Sequence, residues 1–185
     1  MNWSLPGTVL PTTMQEAQQV QSLFSSMFLC GGMVLSQICE ITGLESYTVQ
    51  NWVKRGFLAP PVKKRYSMRQ LCRIISINML KSALPMEDIC GLLRYINGEL
   101  GDESDDLIDD ATLYFLFVRL AASHRQMQDF QGREAYLQQL LGDYQEPVPG
   151  ARARVEQVLR IMLTAWAASQ LRQEAEKMVQ QLKEV

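Results

Sequence analysis

Apolar residues return at three- and four-residue spacing along almost the whole chain, and no stretch alternates with a period of two. That spacing puts one face of an α-helix against a core and leaves no sheet to build, so the expected fold class is all-α. Glycines and prolines divide the pattern. Pro6, Gly7 and Pro11 mark residues 1–13 as irregular, and Thr12 or Thr13 is placed to cap a helix running to about Leu29, which Gly31-Gly32 ends. Leu35, Ile38, Cys39 and Ile41 define a short helix closed by Gly43. Ser46 is placed to cap the next, with Val49, Trp52 and Val53 inward and Gly56 at its end. After Pro60-Pro61 a helix resumes at Met68, and a fourth starts near Pro85 and stops at Asn97-Gly98.

The clearest shift in composition follows. Between Arg94 and Arg119 there is no basic residue, while Glu99, Asp102, Glu103, Asp105, Asp106, Asp109 and Asp110 crowd together. This divides the chain into an N-terminal extension with one helix (1–32), a helical block (33–96), an acidic linker (97–110) and a C-terminal helical region (111–185). The last contains helices over Ala111–Phe130 and Arg133–Leu141, then a long one over about Ala151–Lys183. In that last helix, Val155, Leu159, Met162 and Trp166 form one narrow stripe and Leu171, Ala175, Met178, Leu182 and Val185 another. Each is suited to packing against a helix, and the change of phase between them argues against one uninterrupted coiled coil.

The whole molecule carries a net charge of −2, which does not suit indiscriminate attraction to polyanions. The 35–95 block is different. Nine basic residues there (Lys54, Arg55, Lys63, Lys64, Arg65, Arg69, Arg73, Lys81 and Arg94) face four acidic ones (Glu40, Glu45, Glu87 and Asp88), a local net charge of +5. Two short helices joined at a glycine turn leave the outer face of the second free to enter a major groove. With Val49, Trp52 and Val53 inward, Tyr47, Gln50, Asn51 and Lys54 point outward. Gln and Asn match adenine edges, and Lys and Tyr reach phosphates. The Pro60-Pro61 break and the basic run Lys63-Lys64-Arg65 fit a small hairpin lying beside that helix. The same shape also serves protein-binding modules, so both readings stand on spacing alone.

The run from Leu35 to Leu71 resembles the MerR-type winged helix–turn–helix. The matching residues are Thr42-Gly43, Thr48-Val49-Gln50-Asn51-Trp52, Gly56-Phe57-Leu58-Ala59-Pro60, and Arg65-Tyr66 with Ser67. Leu84-Pro85-Met86-Glu87-Asp88-Ile89 is similar to that family's segment before its fourth helix. From about Leu35 to Tyr114 the chain is also similar to a bacterial family, domain of unknown function 1836. That likeness rests on Val49-Gln50-Asn51-Trp52-Val53-Lys54, Lys63-Lys64-Arg65-Tyr66, Ile77-Asn78-Met79-Leu80 and Tyr95-Ile96-Asn97-Gly98. The resemblance implies a MerR-like transcriptional regulator with its winged helix–turn–helix at 33–96, the C-terminal helices pairing it into a homodimer on double-stranded DNA. Tyr47, Gln50 and Asn51 would then read or position, and Lys54, Arg55, Lys63, Lys64 and Arg65 would hold phosphates. Gln50 stands where the family carries Arg and Asn51 where it carries an aromatic, which shifts phosphate anchoring onto Lys54 and the wing. The alternative is a helical adaptor or anti-repressor that binds a protein and no DNA.

Other chemistry has little to rest on. One histidine, no glycine-rich phosphate loop and no nucleophile elbow argue against an enzyme, and His124 reads as a surface residue. The acidic linker lacks EF-hand spacing, and no cysteine lies beyond Cys90, so neither a metal nor a cofactor is expected. Nothing supports a small-molecule effector, and Tyr114, Phe115, Phe117, Phe130, Tyr136 and Trp166 read as core or dimer interface. Opposite charge adds one expectation: the acidic linker covers the basic block when DNA is absent. The first basic residue is Lys54, and Leu23–Leu35 is interrupted by Ser25, Ser26, Gly31 and Gly32. That stretch is then neither a secretory signal nor a membrane span. With Cys30, Cys39, Cys72 and Cys90 read as free, mostly buried thiols, a cytoplasmic setting is expected.

Overall fold

The computed structural model describes residues 3–124 and 130–183. Among them are nine α-helices and one two-stranded sheet, so the fold is mostly helical as the periodicity implies. The irregular N-terminal segment is more ordered than its sequence suggests. β1 (Trp3–Ser4) pairs antiparallel with β2 (Pro11–Thr12), Trp3 opposite Thr12 and Ser4 opposite Pro11. Strands of two residues are too short to show any alternation. Their hairpin lies on the helical core, and Gly7, with φ +76°, is at the point of closest approach. A Cβ there would sit 2.4 Å from the Ile75 carbonyl oxygen. Asn78 Nδ2 donates to the Gly7 and Thr42 carbonyls at 2.9 Å each, and the Tyr114 hydroxyl donates to Pro6 O at 2.9 Å.

The first expected helix is broken in two at Gln19. α1 (Met14–Gln18) opens with a capping box: Thr13 Oγ1 accepts from Glu16 N, and Thr13 N donates to Glu16 Oε2 at 2.8 Å. α2 (Val20–Met27) follows. α3 (Leu35–Thr42) ends in left-handed Gly43, whose N–H bonds Cys39 O. α4 (Ser46–Lys54) is capped at Glu45, without a side-chain cap bond, so Ser46 is the first residue inside the helix and not its cap. α5 (Met68–Leu80) carries a second capping box between Ser67 and Gln70. α6 (Met86–Asn97) takes Pro85 as its N-cap residue and ends at Gly98.

α7 (Asp110–His124), α8 (Phe130–Leu140) and α9 (Ala151–Lys183) complete the chain. The expected extension of α7 toward Phe130 passes through 125–129, which lie outside the described residues. α5 and α7 pack on one another at the centre, and both are buried around most of their circumference, α5 enclosing Arg73 and Ser76 among its apolar residues. A single apolar cluster runs from Trp3 through Phe24, Leu71, Ile74 and Phe117 to Trp166. Tyr114, Phe115 and Phe117 are buried in it, and Phe24 meets the rings of Tyr114 and Phe115 with centroids 5.7 and 5.5 Å away. Of the four cysteines only Cys72 is fully buried. Cys39 and Cys90 are half-buried and Cys30 is exposed, contrary to the expectation for the set. His124 is also less exposed than expected: its ring lies 6.4 Å from that of Trp166, and Nδ1 is 3.1 Å from Arg133. Among the described residues no helix is long and apolar enough to cross a membrane.

Candidate nucleic-acid interface

α4 is held by its inward residues. Val49 is fully enclosed and Trp52 is 5% exposed, so the indole seats the helix. Tyr47, Gln50, Asn51 and Lys54 then form an exposed outer row, with Tyr47 70% exposed. Arg55 caps the C-terminus, where a cation suits the helix dipole, and its guanidinium lies 4.5 Å from the Phe57 ring centroid.

The basic segment after Pro60-Pro61 is a tight turn. Val62 N bonds Arg65 O at 3.1 Å and Arg65 N bonds Val62 O at 2.9 Å. Between them Lys63 and Lys64 have φ of 49° and 63°, positive at both central positions as in a type I′ turn. That turn favours Asn-Gly. A Lys in the left-handed region costs about 1 kcal/mol, so two in succession hold charge at the tip at the expense of the fold. The turn is fastened on three sides. Met33 and Tyr66 exchange backbone bonds of 2.9 and 2.7 Å, Arg65 Nη1 donates to Gly32 O at 2.7 Å, and Gln70 Nε2 donates to the Ala59 and Pro60 carbonyls.

All eight residues singled out from the sequence are exposed. Gln50, Lys54 and Lys64 are brought to one groove of about 680 Å³ between α3, α4 and the turn, floored by Val34, Leu35, Val53, Pro61 and Tyr66. Val34 and Ser36 carry no local signal for this site, because they join it through the Met33–Tyr66 pairing, a contact between segments 33 residues apart.

Two residues of the basic block leave the surface. Arg73 is buried, donating from Nε to Phe57 O at 3.1 Å and from Nη1 to both oxygens of buried Asp110 at 3.2 and 3.3 Å. Arg69 pairs with Asp106, with Glu103 at 3.2 Å and with Asp110 at 3.7 Å. Burial raises the carboxyl pKa of Asp110 despite Arg73 and Arg69 beside it, and burial likewise raises that of Asp106. The acidic linker thus engages α5. Asp102 accepts from Ser104 and Asp105 from Glu99 N within the linker itself, and Asp109 caps α7 through Ala111 N and Thr112 N.

Residues 16–117 match the family described as Domain of unknown function (DUF1836). The chain is also similar to an uncharacterised protein of Bacillus subtilis (strain 168), YkrK, at 34% identity over 84 residues. That alignment covers 43% of this chain and 36% of the relative, so the chain spans little more than a third of the curated protein it matches. No solved structure matches.

Proposed function

The chain belongs to the Domain of unknown function (DUF1836) family, and from that premise and the geometry of α4 we propose a MerR-like bacterial transcriptional regulator that binds double-stranded DNA as a homodimer. α3 and α4 are its helix–turn–helix and residues 62–65 its wing. One observation carries the reading: an outward row of Tyr47, Gln50, Asn51 and Lys54 stands beside a turn that keeps Lys63 and Lys64 in left-handed backbone. Gln50 and Asn51 suit adenine edges. Lys54, Arg55, Lys63, Lys64 and Arg65 suit phosphates, while Arg69 and Arg73, already paired, contribute none. Two copies would present two α4 helices to a symmetric operator.

The adaptor reading draws support from the groove at α4, whose floor is apolar enough to take a side chain of a protein partner. Binding to random-sequence duplex at low salt separates the two. Replacing Lys63, Lys64 and Arg65 together by Ala should weaken binding to every sequence and reduce the slope of log K against log salt by about 3, roughly one per phosphate contact. An unchanged slope would remove the wing from the interface, and no duplex binding by the intact protein would favour the adaptor.

A further inference from the structure

The groove between α3, α4 and the 62–65 turn joins two chemistries. Its rim is polar and cationic, made by Ser36, Gln50, Lys54 and Lys64. Its floor is apolar and partly open to water: Val34 is 37% exposed, and Leu35, Val53 and Pro61 are half-buried beside enclosed Tyr66. At about 680 Å³ it has the size and make-up of a small-molecule site, apolar walls with a few polar groups. Among the described residues no carboxylate lines it. Glu40, the one acidic residue of α3, is exposed a turn beyond Ser36 and outside the groove. Neither lysine side chain makes an ion pair among the described residues.

Both chemistries are kept against local preference. Val34 is the N-cap residue of α3 and forms no side-chain cap bond, where Ser, Thr, Asp or Asn would satisfy a first-turn N–H. The position gains an apolar wall instead. Lys64, at φ 63°, brings its ammonium to the rim from a backbone conformation that favours Gly or Asn. Duplex phosphates account for the lysines and leave the apolar floor unused. An apolar side chain of a protein accounts for the floor and leaves both cations unpaired. One small molecule satisfies both when it carries an apolar tail and a single anionic head. The tail covers the floor, and a carboxylate at the rim offers one oxygen to each ammonium, with Ser36 and Gln50 as further hydrogen-bond donors. A cleft of this size takes a single chain and not a bilayer.

We propose that this groove binds a single-chain lipophilic carboxylate, a medium-chain fatty acid in chemical class, and that its occupancy excludes duplex, because Gln50, Lys54 and Lys64 serve both. The binding site stands on the groove itself, and the exclusion rests on the DNA reading of α4. A protein that takes the acid and never a duplex would sink the DNA reading alone, and one that binds duplex and ignores the acid would sink this site alone.

The test uses the full chain, with decanoate below its micelle concentration as the probe. Calorimetric titration should show saturable binding with a negative heat-capacity change, the mark of a buried tail. Lys54→Gln with Lys64→Gln should weaken that binding about tenfold with an unchanged helical spectrum, both positions being exposed. Decanol, a tail without the anion, and acetate, an anion without the tail, should each bind more weakly than decanoate. Added to a protein–duplex complex, decanoate should release the duplex. No decanoate binding, equal binding of decanol, a doubly substituted protein with wild-type affinity, or duplex and decanoate held together would each overturn the proposal. An acidic, leucine-containing peptide that binds where decanoate does not would give the groove to a protein partner and overturn it as well.

Discussion

At the scale of single residues, the turn at 62–65 sets charge against backbone comfort. Lys63 and Lys64 both occupy the left-handed region, where Asn-Gly would sit without strain. Lys63→Asn with Lys64→Gly should therefore raise stability by about 1–2 kcal/mol in chemical denaturation, while lowering affinity for duplex. A variant that gains stability and keeps its affinity would separate the lysines from binding. His124 makes a second residue-scale case. Burial, then the neighbouring Arg133, lowers its pKa below the ordinary 6.5. The unfolded chain takes up that proton first, so this contribution to stability is whole above pH 6.5 and is lost as pH falls below it, toward the folded-state value. Denaturation midpoints from about pH 7 to pH 5 should fall further for the wild type than for His124→Gln.

Elements were legible where their ends are chemical. Thr13 with Glu16 and Ser67 with Gln70 are capping boxes that can be read by eye, and Gly43 and Gly56 end their helices through left-handed backbone. The outward row of α4 followed from its period alone. What was not legible depends on partners distant in sequence. The N-terminal hairpin has strands too short for a pattern and exists because Ile75, Asn78 and Tyr114 receive it. Gly7→Ala should lower the thermal midpoint by several degrees, since a Cβ would meet the Ile75 carbonyl at 2.4 Å. Gly31→Ala, at φ +92° with nothing within 4 Å of its Cβ, carries only the backbone part of that cost. The two stripes of α9 were visible as residues, but which one faces the core is decided by α5, α6 and α7.

Across the whole molecule, the basic block and the acidic linker are one construction. Net charge counted along the sequence put Arg69 and Arg73 in one basic block with Lys54 and the 63–65 run, whereas the fold turns both toward Glu103, Asp106 and Asp110. Nothing in a local pattern reveals a pair separated by 37 residues. Asp110→Leu alone leaves Arg73 buried without its carboxylate and should cost about 3–5 kcal/mol in urea unfolding. Adding Arg73→Met should recover a large part of that loss, and a double variant as unstable as the sum of the singles would mean that the two groups do not act on each other.

The contact of Trp3 with Trp166, ring centroids 6.2 Å apart, has a bearing on synthesis. Trp3 reaches its final place only after Trp166 has left the ribosome. At about 5–20 residues per second that interval is on the order of ten to thirty seconds. For that time the hairpin, which the Asn78 amide joins to α3 by donating to Gly7 O and Thr42 O, lacks its cover, so a nascent chain exposes this junction of hairpin, α3 and α5 until α9 closes on it.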